Sequence, residues 1–236
     1  MNESILSAWD IAEAQPATDA NPRELLIHAV NYAILAPSSH NSQPWQFRIT
    51  GEQLELYADR TRALAVVDHA DRELVISCGA ALFCVRATLQ HLGVEPLIEL
   101  EPEGPASDLL ARAGVGKRRS ATEADHALFQ AITQRRTTRT PFEARDLPDT
   151  LQRSLADAAE GEGAALWVMR TPQQRTELAE LIAQADQEQW SDPRVRRELA
   201  AWIHPNRRAS RDGVPGYAIG MGDIMSSVAP IVMRTF

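Results

Sequence analysis

The chain has 236 residues and carries 24 Lys and Arg against 32 Asp and Glu, a formal net charge of −8. That acidic balance excludes a general nucleic-acid-binding face, which needs a basic surface, and the 44% hydrophobic content supplies material for a sizeable core. No apolar run approaches the roughly 18 residues of a membrane span, Met1-Asn2-Glu3-Ser4 lacks the order of a secretory leader, and two cysteines make no disulfide framework. A cytoplasmic protein is the expectation.

Asn21-Pro22 reads as a helix start, with Asn as the cap and Pro at the first helical position. Leu25, Leu26, Ala29, Val30, Ala33 and Ile34 follow at helical spacing, and Pro37 ends the run. A polar stretch from Ser38 to Pro44 leads into two strands, Trp45 to Thr50 and Gln53 to Ala58, joined at Gly51-Glu52. Asp71 to Leu92 is the strongest helix and is apolar nearly all round, which suits a domain centre or a subunit interface. Gly93 ends it, Val94 to Leu100 reads as a strand, and Pro102 to Ser107 as a loop.

Ala124 to Gln134 is helical and Arg135 to Phe142 a polar turn. Pro148 to Glu160 reads as a helix, Ala164 to Met169 as a strand, and Thr171 to Gln189 as a long amphipathic helix. Asp192-Pro193 opens another helix, running to about Ile203. His204 to Asp223 is rich in Gly, Pro and Arg and reads as a long loop of the kind that forms lids. Helices with a few strands make the class α+β, and a weak echo between the two halves suggests a repeat.

The basic residues are 23 Arg and one Lys, with clusters at 118–119, 135–139, 194–197 and 207–211. Genome composition explains most of such a bias, yet Arg also suits bidentate recognition of phosphate or carboxylate. Arg135-Arg136-Thr137-Thr138-Arg139 puts three guanidinium groups and two hydroxyls into five residues, a set able to hold a phosphate and a polyol together. The competing reading is a solvated helix end whose arginines complement the dipole. The Pro37 to Trp45 stretch offers hydroxyls and amides on a backbone fixed by two prolines; its plain alternative is an ordinary helix-to-strand loop.

Other candidates are weaker. Cys78 and Cys84, six apart, have core rather than metal spacing, and the six histidines are scattered, so no metal site is expected. Gly114-Val115-Gly116-Lys117 lacks the upstream Gly and downstream Ser or Thr of a phosphate loop. No serine nucleophile turn is present.

Ala36-Pro37-Ser38-Ser39-His40-Asn41-Ser42-Gln43-Pro44-Trp45-Gln46-Phe47 resembles the signature of the FMN-dependent nitroreductase family, and Arg135 to Arg139 resembles that family's Arg-x-Ser-x-Arg/Lys flavin element. Their order is reversed relative to the usual one. The reversal, together with the Ile76 to Leu82 helix and Asp212-Gly213-Val214-Pro215, resembles the Acg-like branch, where one chain imitates the nitroreductase dimer with two degenerate halves.

The resemblance implies a nitroreductase-like α+β fold with an antiparallel or mixed sheet flanked by helices. It implies an N-terminal extension over 1–21, a first half over 22–120 and a second half over 121–236. Arg135, Arg136, Thr137 and Arg139 would hold the phosphate, ribityl chain and ring edge of one FMN, with Pro37, Ser38, Ser39 and Asn41 completing the pocket. NAD(P)H would supply hydride and a nitroaromatic or quinone-like acceptor would receive electrons; the cofactor does this chemistry, so no side chain is assigned as catalytic. The alternatives are a flavin-sequestering protein without turnover and a structural or interaction domain. The second half reads as incomplete, which implies a homodimer or an exchange of elements between copies.

Overall fold

The computed structural model describes residues 16–17, 19–208 and 210–235, so most of the extension expected over 1–21 lies outside the described residues. Helix α1, Pro22–Ala33, begins with a complete capping box: the Glu24 N–H donates to Asn21 Oδ1 and the Asn21 N–H to Glu24 Oε2, both at 3.0 Å. Its buried face, Leu25, Leu26, Ala29, Tyr32 and Ala33, lies on α2, Arg72–His91. Strands β1, Trp45–Thr50, and β2, Gln53–Ala58, form a hairpin around Gly51, whose φ of +62° answers the turn's need for a left-handed residue.

Strands β3, Val94–Leu100, and β4, Leu109–Arg118, complete an antiparallel sheet in the order β1-β2-β4-β3. One face of this sheet carries Leu54, Leu56, Ala111 and Ala113 into a core shared with α1 and α2. Helix α3, Glu123–Gln134, adds Phe129 and Ile132 to the same core. It too starts in a capping box, with Thr122 and Asp125 exchanging bonds. The Arg119 guanidinium beside Asp125 holds that carboxyl well below the usual carboxylate range.

Helix α2 is apolar in sequence nearly all round, but only one face is buried: Leu74, Cys78, Ala81, Cys84, Val85 and Leu89 point inward while Val75 and Ile76 are exposed. Among the described residues it is the one helix long and apolar enough to cross a membrane, whereas the sequence reading expects no such run. Half of that stretch is buried in the protein.

The remaining helices are α4, Asp149–Gly161, α5, Pro172–Ser191, α6, Pro193–Trp202, and α7, Asp223–Thr235. Neither α4 nor α5 buries a residue. Residues 164–169, expected as a strand, form none: the chain there takes no regular structure and is largely exposed, with no strand beside it among the described residues to accept its ladder bonds.

Two further elements escape the sequence pattern. The glycines of β4 hide its strand character, although Gly116 is needed there: a Cβ would meet the Glu95 carbonyl oxygen at 2.9 Å. The segment after α6 is not one long loop. It holds a short parallel pair, β5, Ile203–His204, and β6, Val214–Pro215, and then α7, whose Asp223 opens a helix that contains Pro230. Asn206 organises this part. Its Oδ1 accepts the Tyr217 N–H at 2.7 Å and its Nδ2 donates to the Met221 carbonyl at 3.1 Å.

Candidate functional site

The loop between α1 and β1 is built in an uncommon backbone conformation. His40, Asn41 and Gln43 have φ of +51°, +53° and +50°, a region in which non-glycine residues cost of order 1 kcal/mol or more each. Hydroxyls hold it there. Ser38 Oγ accepts the Gln43 N–H at 2.9 Å, the Ser39 N–H donates to Ser77 Oγ at 3.3 Å, and the Ser39 hydroxyl donates to the Glu73 carboxylate. Ser77 and Glu73 both belong to α2, so the core helix clamps the turn from beneath. Pro37, which follows the end of α1 at Ala33, is exposed.

A second segment crosses this loop from the far end of the chain. Asn41 Nδ2 donates to the Gly213 carbonyl at 3.1 Å, and the Gly213 N–H donates back to the Asn41 carbonyl at 3.1 Å. The Gln43 side-chain amide donates to the Arg211 carbonyl. Arg62 fastens both segments: its Nε donates to the Ser42 carbonyl at 2.5 Å, its Nη2 pairs with Asp212, and its guanidinium lies 5.7 Å from the Trp202 ring centroid. Gly213, with φ of +72°, has no room for a side chain, since a Cβ would collide with His204 Nε2. The 211–213 segment is thus a strap seated on the Ser38–Gln43 turn.

The arginine run begins where α3 ends. Arg135 Nη2 donates to the Leu35 carbonyl at 3.4 Å and Nη1 to Thr137 Oγ1 at 3.1 Å, so it joins the start of the Pro37 loop to its own segment. Burial pushes its pKa down, with Cys84 opposing and Arg136 adding to the effect, but a guanidinium remains a cation at neutral pH. Arg136 Nη1 donates to the Thr133 and Arg135 carbonyls at 2.6 and 2.8 Å. Thr137 and Arg139 are exposed. Burial lowers the pKa of His40, with Glu73 opposing the shift and the charge of Arg139 adding to it.

Arg135 thus ties the start of the arginine run to Leu35, just ahead of the Pro37 loop, from a distant part of the sequence. Ser38, Ser39 and Asn41 spend their side chains on shaping the loop and holding the strap. The cations of the 135–139 run are the groups suited to an anion. Sequence patterns do not single out Arg62, Glu73, Glu198 or His40. Glu198 of α6 accepts the Val66 and Val67 N–H groups at 2.9 Å each, and no local pattern announces that contact. His40 is visible in the sequence only as a letter inside the loop motif.

No protein-family model matches the chain. A Mycobacterium tuberculosis H37Rv protein provisionally named NAD(P)H nitroreductase is 33% identical over 183 residues, covering 78% of this chain and 52% of that protein. A second from the same strain, provisionally named NAD(P)H nitroreductase acg, is 34% identical over 119 residues, 50% of this chain and 36% of that protein. A crystal structure of a nitroreductase family protein from Streptococcus pneumoniae TIGR4 aligns with 53% of this chain and 90% of that chain, at 18% identity and a TM-score of 0.33. The chain spans about half the length of the curated relatives it matches.

Proposed function

The chain belongs to the nitroreductase family, and we propose that it binds FMN between the Ser38–Gln43 turn and the Arg135–Arg139 run and acts as an NAD(P)H oxidoreductase. The observation that carries this reading is the Arg135–Leu35 contact at 3.4 Å, which closes the cation run onto the start of the Pro37 loop. The donor set suits the ligand. Arg136, Thr137 and Arg139 offer guanidinium and hydroxyl donors to a phosphate and a polyol, and Arg135 is fixed by its own bonds to brace them. Pro37, Ser38, Ser39 and Asn41 set the shape of the opposite wall.

FMN held by Arg136, Thr137 and Arg139 would supply the redox chemistry, hydride transfer from NAD(P)H and electron delivery to a nitroaromatic or quinone-like acceptor. The protein's own share is to bind the anion, orient it and limit water around it. The reversed motif order supports the Acg-like branch and, with it, one flavin per pair of degenerate halves.

A second reading has its own observation. The strap at 211–213 is fastened to the turn through Asn41, Gln43 and Arg62 and would cover a ligand lying on it. A flavin store without turnover would use such a cover. Both readings predict yellow protein. Replacing Arg135 and Arg139 together by Ala should lower flavin content at least tenfold while the melting transition persists; unchanged flavin content defeats the site assignment.

Self-association belongs to the same proposal. Helices α4 and α5 and the 164–169 segment leave Leu151, Leu155, Trp167, Leu181 and Ile182 exposed, surface that a second copy of the chain would cover.

A further inference from the structure

The far end of α2 holds a pair of side chains that the proposed flavin site does not use. His91, the last residue of that helix, meets His126 of α3, and their Nδ1 atoms lie 2.8 Å apart. The His91 ring is fixed, because it stacks on Phe129 with centroids 3.8 Å apart and planes within 10°. Phe129 is buried and touches Tyr32 of α1, so the stack is anchored in the core. His126 is exposed and meets His91 edge-on, at an interplanar angle of 84°. A neutral imidazole carries one N–H and one lone pair, so one of the facing nitrogens donates and the other accepts.

Two imidazole nitrogens from different helices, held against each other where solvent reaches them, are also the beginning of a metal site. Their spacing selects among ions. Two nitrogens bound at about 2.0 Å sit about 2.8 Å apart at a right angle and about 3.3 Å apart at a tetrahedral one. The observed 2.8 Å matches the right-angled bite of tetragonal Cu²⁺ rather than the tetrahedral bite of Zn²⁺. Imidazole suits Cu²⁺, which also stands highest in affinity among the first-row divalent ions. The carbonyl end of a 20-residue helix adds a field that favours a cation there. We propose that His91 and His126 form a two-histidine site for Cu²⁺, each binding through Nδ1.

The imidazole that donates in the pair moves its proton to Nε2, which leaves both Nδ1 lone pairs to the ion. Bringing His126 onto the ion disturbs no core contact, since its side chain is exposed. Asp125 beside it is committed to Arg119 and to the Thr122 cap. Among the described residues no group of three His, Cys, Asp or Glu side chains is placed to hold an ion, so water fills the other positions. The ion is therefore exchangeable, unlike one in a closed four-ligand site. Its ligands come from α2 and α3, so binding stabilises the packed state by mass action. The sequence hides this site because 35 residues separate the two ligands, far outside local motif spacings.

The test is a calorimetric titration of Cu²⁺ into wild type, His126→Gln and His69→Gln, in a buffer that does not bind copper. His69 is the control, exposed like His126 but placed just before the opposite end of α2. One tight equivalent per chain is expected in wild type and His69→Gln, weakened at least about tenfold in His126→Gln. Saturating Cu²⁺ should raise the melting temperature of wild type and His69→Gln by several degrees and leave that of His126→Gln in place. Equal affinity or an equal rise in His126→Gln overturns the proposal, as does the absence of a tight equivalent in wild type. Should His126→Gln fail to melt cooperatively, the electron paramagnetic resonance spectrum of wild type with substoichiometric Cu²⁺ decides. Couplings to two imidazole nitrogens support the pair, and coupling to one or to none overturns it.

Discussion

At the scale of single residues, burial decides what the titratable groups can do. Cys78 and Cys84 sit in the core, where loss of solvent pushes their thiols up to about 12 and about 11. Cys78 also donates to the Pro44 carbonyl at 3.2 Å. Both stay protonated at neutral pH and neither is a nucleophile. Iodoacetamide at about pH 8 should leave the folded chain unmodified and alkylate both cysteines after denaturation; rapid labelling of native protein would contradict this placement. The core role of these cysteines was legible from their spacing. The work of Ser38, Ser39 and Asn41 was legible only in part, because their motif marks a special loop without telling whether a hydroxyl meets a ligand or its own backbone. His40 was not legible at all. Its Nδ1 is closed off without a hydrogen-bond partner among the described residues, a result of packing that no local pattern announces.

Elements repeat this lesson on a larger scale. The capping box at Asn21, the hairpin turn at Gly51 and the periodicity of α1 and α2 are local, and the sequence announces each of them. Strand β4 escapes the pattern because its two glycines, of which Gly116 lets β3 approach, erase the strand signal. The strap reads in sequence as an open loop and is instead seated by bonds to residues about 170 positions earlier in the chain, a separation no window of sequence can see. Gly213 is the point at which it can be tested. In Gly213→Ala the new Cβ would press on the His204 ring and, at 2.7 Å, on the Trp202 carbonyl oxygen, in a backbone region that disfavours Ala. A destabilisation of about 2 kcal/mol and faster tryptic cleavage at Arg208 and Arg211 are expected. Gly220→Ala is the control, since Gly220 has φ of +78° but open space around it. Equal cleavage in the two variants would mean that the strap is not held where Asn41 meets it.

Over the whole molecule, one well-packed unit of three helices and a four-stranded sheet is followed by helices that pack sparsely on it. The contrast is clear in exposure: Leu26 and Leu89 are fully buried, whereas Phe142 and Trp167 are 85% and 82% exposed. The second-half strand expected at 164–169 has the composition for a sheet and finds no neighbour, so the residues alone could not tell its fate. Proposed self-association predicts a dimer by light scattering at micromolar concentration, and a well-behaved monomer over that range would contradict it. The family and the α+β class were readable from two short motifs and helix periodicity; the Arg135–Leu35 contact was not, since it joins the ends of α3 and α1. The most direct measurement of the proposed function is anaerobic mixing of flavin-loaded protein with NAD(P)H. Loss of the flavin absorbance at about 450 nm, restored by a quinone or nitroaromatic acceptor, is the result expected of an oxidoreductase. Flavin that stays oxidised with NADH and NADPH alike would contradict it.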